Sequence, residues 1–145
     1  MSIINTIPFC SSCGSSNLAQ IIDTIETIID NKTLVIPNIR ATKCLDCNEI
    51  HYSNITSKYI DKQISIFKAE GFENKSKEVS KSKGVTQEEL GNRIGVTKQR
   101  INQIFKDDNL DAQTMIKIAN AIQEPIHNVF QFRRISVKEN KYYLE

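Results

Sequence analysis

Two pairs of cysteines constrain this chain more than any other feature. Cys10-Ser-Ser-Cys13 and Cys44-Leu-Asp-Cys47 hold all four cysteines, with 30 residues between Cys13 and Cys44. Two residues between cysteines let both thiolates point at one ion while amides of the tight turn donate to the sulfurs. Two such knuckles supply the tetrahedral four-sulfur set that suits Zn²⁺, at about 2.3 Å per bond. Gly14 follows the first pair and gives such a knuckle a permissive φ. The same four thiols suit iron in a rubredoxin-like site, and four cysteines can also form two disulfides or serve redox chemistry. We expect one structural Zn²⁺ per chain on Cys10, Cys13, Cys44 and Cys47. That set is complete without His51, and it leaves no open position for water or substrate.

Between the pairs lie two β-branched runs, Ile21 to Ile29 and Thr33 to Thr42, separated by Asp30-Asn31-Lys32. They predict a hairpin carrying the two knuckles, as in a zinc ribbon. Ile21, Ile22, Ile25, Ile28 and Ile29 also fit a helical stripe. Pro37 and the branched residues of the second run decide for strands.

Charge divides the 145 residues further. Residues 1–56 carry five acids and three bases, whereas residues 75–106 carry eight bases and three acids. The formal net charge of +2 implies no nucleic-acid partner by itself; its distribution does. Thr56 to Glu70 places Tyr59, Ile60, Ile64 and Phe67 on one stripe and ends at Gly71, predicting a connecting helix. The expected organisation is a zinc ribbon over 1–54, a connecting helix over 55–71, a helical domain over 72–132 and a C-terminal tail over 133–145, strand or arm. The fold class is α+β with two domains: a small β-hairpin zinc ribbon, then an all-α helix-turn-helix bundle. The richest apolar stretch, Ile21 to Ile29, is broken by Asp23 and Glu26, so no membrane span is expected. The opening MSIINTIPFC does not read as a secretory signal, and we expect a cytoplasmic protein. No Ser/His/Asp set, phosphate loop or carboxylate pair appears, so no enzymatic activity is expected.

Thr86 to Lys106 (TQEELGNRIGVTKQRINQIFK) is the most fully specified stretch. Thr86 and Glu89 form a capping box, and Leu90 and Ile94 give the apolar face of the helix they start. Gly91 in mid-helix implies a close approach that a larger side chain would block. Gly95 ends the helix in the left-handed conformation, Val96 fills the turn and Thr97 caps the next helix. Ile101, Ile104 and Phe105 form the inner stripe of that second helix. This is the helix-turn-helix pattern.

Opposite Ile101, at about 100° per residue, fall Gln99, Asn102, Gln103 and Lys106, with Lys98 and Arg100 beside the first turn. Gln and Asn bond adenine at N6/N7, while Arg and Lys suit guanine O6/N7 or phosphate. No acid lies between Thr97 and Lys106. The second helix therefore reads as a base-reading helix for double-stranded DNA. Lys81, Lys83 and Arg93 are further candidates for phosphate. Asp108 to Phe130 reads as two more helices, with apolar residues enough for a dimer face as well.

GVTQEELGNRIGVTKQRINQI with TMIKIANAI resembles the Xre/Cro-type repressor domain. Residues 10–47 resemble the zinc ribbon of YgiT-type proteins, and the combination resembles MqsA-type antitoxins. That resemblance implies a repressor whose ribbon half binds a toxin protein. It also implies a homodimeric C-terminal half that binds an inverted-repeat operator in its own promoter. By position it assigns DNA contacts to Gln87, Thr97, Lys98, Gln99 and Gln103. Ser76 and Ser80 depart from it, standing where such domains have an aliphatic and a basic residue. A stand-alone phage or mobile-element regulator with the ribbon used for dimerisation is the alternative.

Overall fold

Leu18–Ile29 (β1) and Lys32–Cys44 (β2) pair antiparallel, joined by a two-residue turn in which Asp30 (φ 50°) and Asn31 (φ 65°) both take positive φ. This is the turn whose twist matches that of its strands. The ladder shifts between Asp23 and Ile25, where β1 has one intervening residue and β2 has two, Pro37 and Asn38. Pro37 has no N–H to donate and Asn38 sits at φ 61°, so the bulge falls where the sequence least supports regular pairing. The computed structural model describes residues 7–145, so the chain start, read above as carrying no secretory signal, lies largely outside the described residues.

The strand β3 (Ile50–His51) pairs with β2 at Thr42 and Lys43. The segment expected as a tail is itself part of this sheet. Ile135–Lys138 (β6) and Lys141–Leu144 (β7) form a second hairpin, turning at Glu139 (φ 53°) and Asn140 (φ 63°). β7 runs parallel to β2 along Thr33–Val35, giving the order β1-β2-β7-β6. Lys141 pairs with Glu26, and Lys32 Nζ lies 5.5 Å from the centre of the Tyr142 ring. Strand β2 is interior to the sheet, and Leu34, Ile36 and Ile39 are fully buried.

The helix α1 (Asn54–Lys68) corresponds to the expected connecting helix. Ser53 starts it, its Oγ accepting from the Thr56 N–H at 3.2 Å. Thr56 Oγ1 donates to the Arg40 carbonyl at 2.7 Å and Tyr59 OH to the Pro37 carbonyl at 3.0 Å. The bulged stretch of β2 thereby finds partners outside the ladder. The chain up to Ser65 together with Ile135–Glu145 makes one compact unit, and Ile66–Arg134 makes the other.

The second unit contains helices α2 (Ser76–Ser82), α3 (Gln87–Ile94), α4 (Lys98–Lys106), α5 (Ala112–Ile122) and α6 (Ile126–Val129). Unlike the expected all-helical bundle, it is closed by a two-stranded ribbon of β4 (Phe72–Asn74) and β5 (Phe130–Phe132). Leu90, Ile101, Ile104, Ile118, Ile122, Val129 and Phe130 form its core, with Phe72 stacked on Phe130 at 6.0 Å. Ser76 and Ser80 are both buried. Each is satisfied: Ser76 Oγ donates to Asn74 Oδ1 at 2.5 Å and Ser80 Oγ to the Val85 carbonyl at 2.9 Å.

Candidate metal centre and nucleic-acid interface

The two cysteine turns have the same local geometry. Gly14 N–H donates to the Cys10 carbonyl at 2.8 Å and Asn48 N–H to the Cys44 carbonyl at 2.9 Å. Cys10 N–H donates to Ser15 and Cys44 N–H to Glu49, closing each knuckle one residue further on. Gly14 (φ 78°) and Asn48 (φ 64°) occupy equivalent left-handed positions, and these two residue types reach that region most readily. The amides of Ser12 and Cys13 donate to the Cys10 sulfur, and those of Asp46 and Cys47 to the Cys44 sulfur.

All four Sγ atoms lie within 4.8 Å of one another. Cys10 and Cys47 are 3.7 Å apart and Cys13 and Cys44 3.5 Å. A tetrahedron of sulfurs with bonds of about 2.3 Å has edges of roughly 3.8 Å. The four cysteines therefore fit a metal ion. Cys10 and Cys44 are buried, Cys13 and Cys47 exposed. The Cys13 amide, the His51 ring and neighbouring donors hold the Cys10 thiol down to about 6, and the Cys47 amide likewise lowers Cys44. The Glu49 amide lowers Cys47, but loss of water around its sulfur and the neighbouring sulfurs of Cys44, Cys10 and Cys13 outweigh it and push that thiol up to about 12. Four thiolates this close repel one another, which a divalent cation would relieve.

His51 Nε2 lies 3.3 Å from Cys10 Sγ, within hydrogen-bonding distance of that sulfur. Its place is outside the four-sulfur set, where such contacts orient and tune the ligands. A second support is absent from the sequence reading. Ser15 Oγ donates to Asp46, Asn17 Nδ2 donates to Asp46 at 3.4 Å, and Leu45 N–H donates to the Asn17 carbonyl at 2.9 Å. Asp46 of one knuckle thus clamps the loop that follows the other.

In the second unit, Thr86 Oγ1 accepts from the Glu89 N–H at 3.1 Å and starts α3. The reciprocal half of the expected capping box does not form; the Glu89 carboxylate pairs with Arg93 at 3.0 Å. Gly95 (φ 76°) ends α3 and Thr97 Oγ1 accepts from the Arg100 N–H, starting α4. A Cβ on Gly91 would lie 2.6 Å from the Val96 carbonyl oxygen. The close approach is made by the backbone of the turn itself, with Ile101 behind it at 3.5 Å. In an open helix Gly91→Ala would gain about 1 kcal/mol. Here we expect it to destabilise the unit by about 1–3 kcal/mol, because the contact is backbone. Chemical denaturation checks this, and a raised midpoint would show that the turn yields.

Along α4, Ile101 and Ile104 are buried and Phe105 nearly so, while Lys98, Gln99, Arg100, Gln103 and Lys106 are exposed. Arg100 Nη1 donates to Gln103 Oε1 at 3.4 Å. Asn102 is only half-exposed, because it lies beside Ile101 rather than opposite it. Gln87 is half-buried at the start of α3, lining a hollow of about 320 Å³ whose wall also includes Lys77, Lys81 and Phe105. Two of the further phosphate candidates are engaged within the unit. Lys83 Nζ pairs with Glu124 at 3.1 Å and donates to the Gln123 carbonyl; Arg93 donates to the Ala121 carbonyl at 2.6 Å. Both cations sit on the C-terminal carbonyls of α5, where the helix dipole favours positive charge.

Asn74, which carried no sequence signal beyond the Asn-x-Ser spacing of a local turn, links these elements. Its Nδ2 donates to the Ile104 and Asp107 carbonyls at 2.8 and 2.9 Å, capping the end of α4. Its Oδ1 accepts from the Ser76 N–H at 3.0 Å.

Two short helices set by a left-handed turn, the second capped and exposing an acid-free polar face, define a DNA-binding helix-turn-helix unit. Residues 77–127, about a third of the chain, match the Helix-turn-helix family, of the Xre type, which supports a DNA-binding transcriptional regulator. No curated protein matches the chain. No helix among the described residues is long and apolar enough to cross a membrane.

Proposed function

We propose that the chain is a transcriptional repressor acting as the antitoxin of a type II toxin–antitoxin pair. In this reading it holds one structural Zn²⁺ on Cys10, Cys13, Cys44 and Cys47. It binds an inverted-repeat operator of its own operon as a homodimer and neutralises a cognate toxin protein through the cysteine-bearing unit. The observation that carries the DNA half is the exposed face of α4, with Lys98, Gln99, Arg100 and Gln103 free of acids and its opposite face buried. Gln99, Asn102 and Gln103 are the base readers; Gln87, Thr97, Lys98 and Arg100 position the helix on phosphate or guanine. A single unit reads few base pairs, so half-sites about 34 Å apart, or a multiple of that, follow. The closed four-thiolate set supports zinc in a structural role. The toxin role is supported by the order of the two units and by the acidic balance of residues 1–56.

Lys98→Ala should weaken binding to all sequences alike and lower the salt slope by about one. Lys83→Ala should leave that slope unchanged, because Glu124 already holds Lys83. Anisotropy titrations over a salt series measure both. The toxin role is tested with the full chain, since a fragment ending near residue 70 lacks β6 and β7. Titration against the product of the neighbouring gene, with and without metal removal, should show binding only by the metal-loaded protein. No binding at all would overturn the toxin role, and binding that survives loss of the metal would overturn its dependence on the metal-loaded unit. Metal analysis of the purified protein decides zinc against iron.

A further inference from the structure

We propose that β1 is a homodimerisation edge, pairing antiparallel with β1 of a second copy across a two-fold axis at Ile25. The inference rests on the homodimer in the proposed function and gives that dimer an interface. In the segment Met115 to Phe130, expected above to offer a dimer face, Ile118, Ala119, Ile122, Val129 and Phe130 belong to the core of their own unit, and Ile116 and Ile126 are the large apolar residues left exposed.

Strand β1 is twelve residues long and ends the sheet order; among the described residues its only strand partner is β2. An edge of that length presents unpaired N–H and C=O groups to another chain, and proteins commonly blunt such edges with lysine, proline or a bulge. β1 has no lysine or proline, and the bulge's extra residue lies on β2; its charged residues are Asp23, whose carboxylate accepts from the Thr24 N–H at 2.8 Å, and Glu26. On its outward face Ile22 is 71% exposed and Ile28 75%.

The run Ile21 to Ile29, IIDTIETII, reads nearly the same in both directions about Ile25. Antiparallel strands related by a two-fold at Ile25 set residues opposite when their numbers are equally far from it. Ile22 then meets the partner's Ile28, Ile21 meets the partner's Ile29, and Ile25 meets its own copy. The acids fall opposite hydroxyls: Asp23 faces the partner's Thr27 and Glu26 the partner's Thr24. Apolar residues face apolar ones, and no like charges are opposed. The neighbouring registers lose this match. A two-fold at Thr24 sets Glu26 against Ile22 and Asp23 against Ile25; one at Glu26 sets the two Glu26 carboxylates against each other. Side-chain period two forbids the intermediate registers, which would oppose residues on different faces. The strand is self-complementary in one register, so a second copy of this chain is the occupant it fits.

The test uses two substitutions at one exposed position of the full-length, metal-loaded chain. In the proposed register Thr24→Glu opposes two pairs of like charges, and Thr24→Lys creates two opposite-charge pairs with Glu26. Sedimentation equilibrium should show dimer association weakened about tenfold by T24E and strengthened by T24K, by a smaller factor because Lys141 already pairs with Glu26. Opposite signs at one site exclude misfolding as the cause. A dimer unmoved by both variants would overturn this interface while leaving the homodimer standing. A chain that stays monomeric at every concentration would overturn both.

Discussion

Cys44→Ser is expected to melt the sheet unit while Ile66–Arg134 stays folded. Cys44 is buried, takes amides from Asp46 and Cys47, and ends the central strand β2. Its loss removes one of four ligands and the junction between knuckle and hairpin together. Structural zinc in small domains supplies roughly 10–16 kcal/mol of apparent binding energy at neutral pH, comparable to or more than a domain's whole stability. Chelation should act in the same way, and acid should promote release because protons compete for the thiolates. Metal content read alongside amide exchange in each unit checks the result. Full protection of β1 and β2 in reduced, metal-free protein would sink it.

The second large effect is expected from α4. Gln99→Ala and Gln103→Ala should each cost about 1–3 kcal/mol of operator binding, and together about 2–6 kcal/mol if they act independently. Each should also relax preference at its own base pairs. The two differ in one respect: Gln103 accepts from Arg100, so its loss also frees that guanidinium. Selection from a randomised operator separates loss of reading from loss of phosphate contact. If both variants weaken every sequence equally, α4 is not the reader.

The helix-turn-helix was legible because each of its decisive residues acts locally. Thr86, Gly95 and Thr97 set caps and a turn through bonds within four residues, and Leu90, Ile101 and Ile104 bury at helical spacing. The four-cysteine cluster was legible because two turns of identical spacing converge through one hairpin. Less legible were features that depend on distant partners. The strand β7 is defined by a parallel pairing to Thr33–Val35, more than a hundred residues away. Lys83 and Arg93 looked available for phosphate until α5 turned its C-terminal carbonyls toward them. Ser76 and Ser80 looked like faults in the packing, yet Asn74 and Val85 supply their bonds. For β7, Lys83 and Arg93 the partner lies outside any window a local pattern can scan, whereas Ser76 and Ser80 bond within five residues, through turn geometry that residue type alone does not give.

The entry of β6 and β7 into the sheet begun by β1 and β2 has a consequence for synthesis. Chain emerging from a ribosome presents the hairpin and both knuckles first, then all of Ile66–Arg134, and only afterwards β6 and β7, of which β7 pairs with Thr33–Val35. The DNA-binding unit has its whole sequence contiguous and can fold as it emerges. The sheet that carries the four cysteines waits with part of β2 open until residues 135–144 arrive, so the unit begun first is completed last. Loss of Lys141–Leu144 therefore injures the sheet begun by β1 and β2, more than a hundred residues earlier.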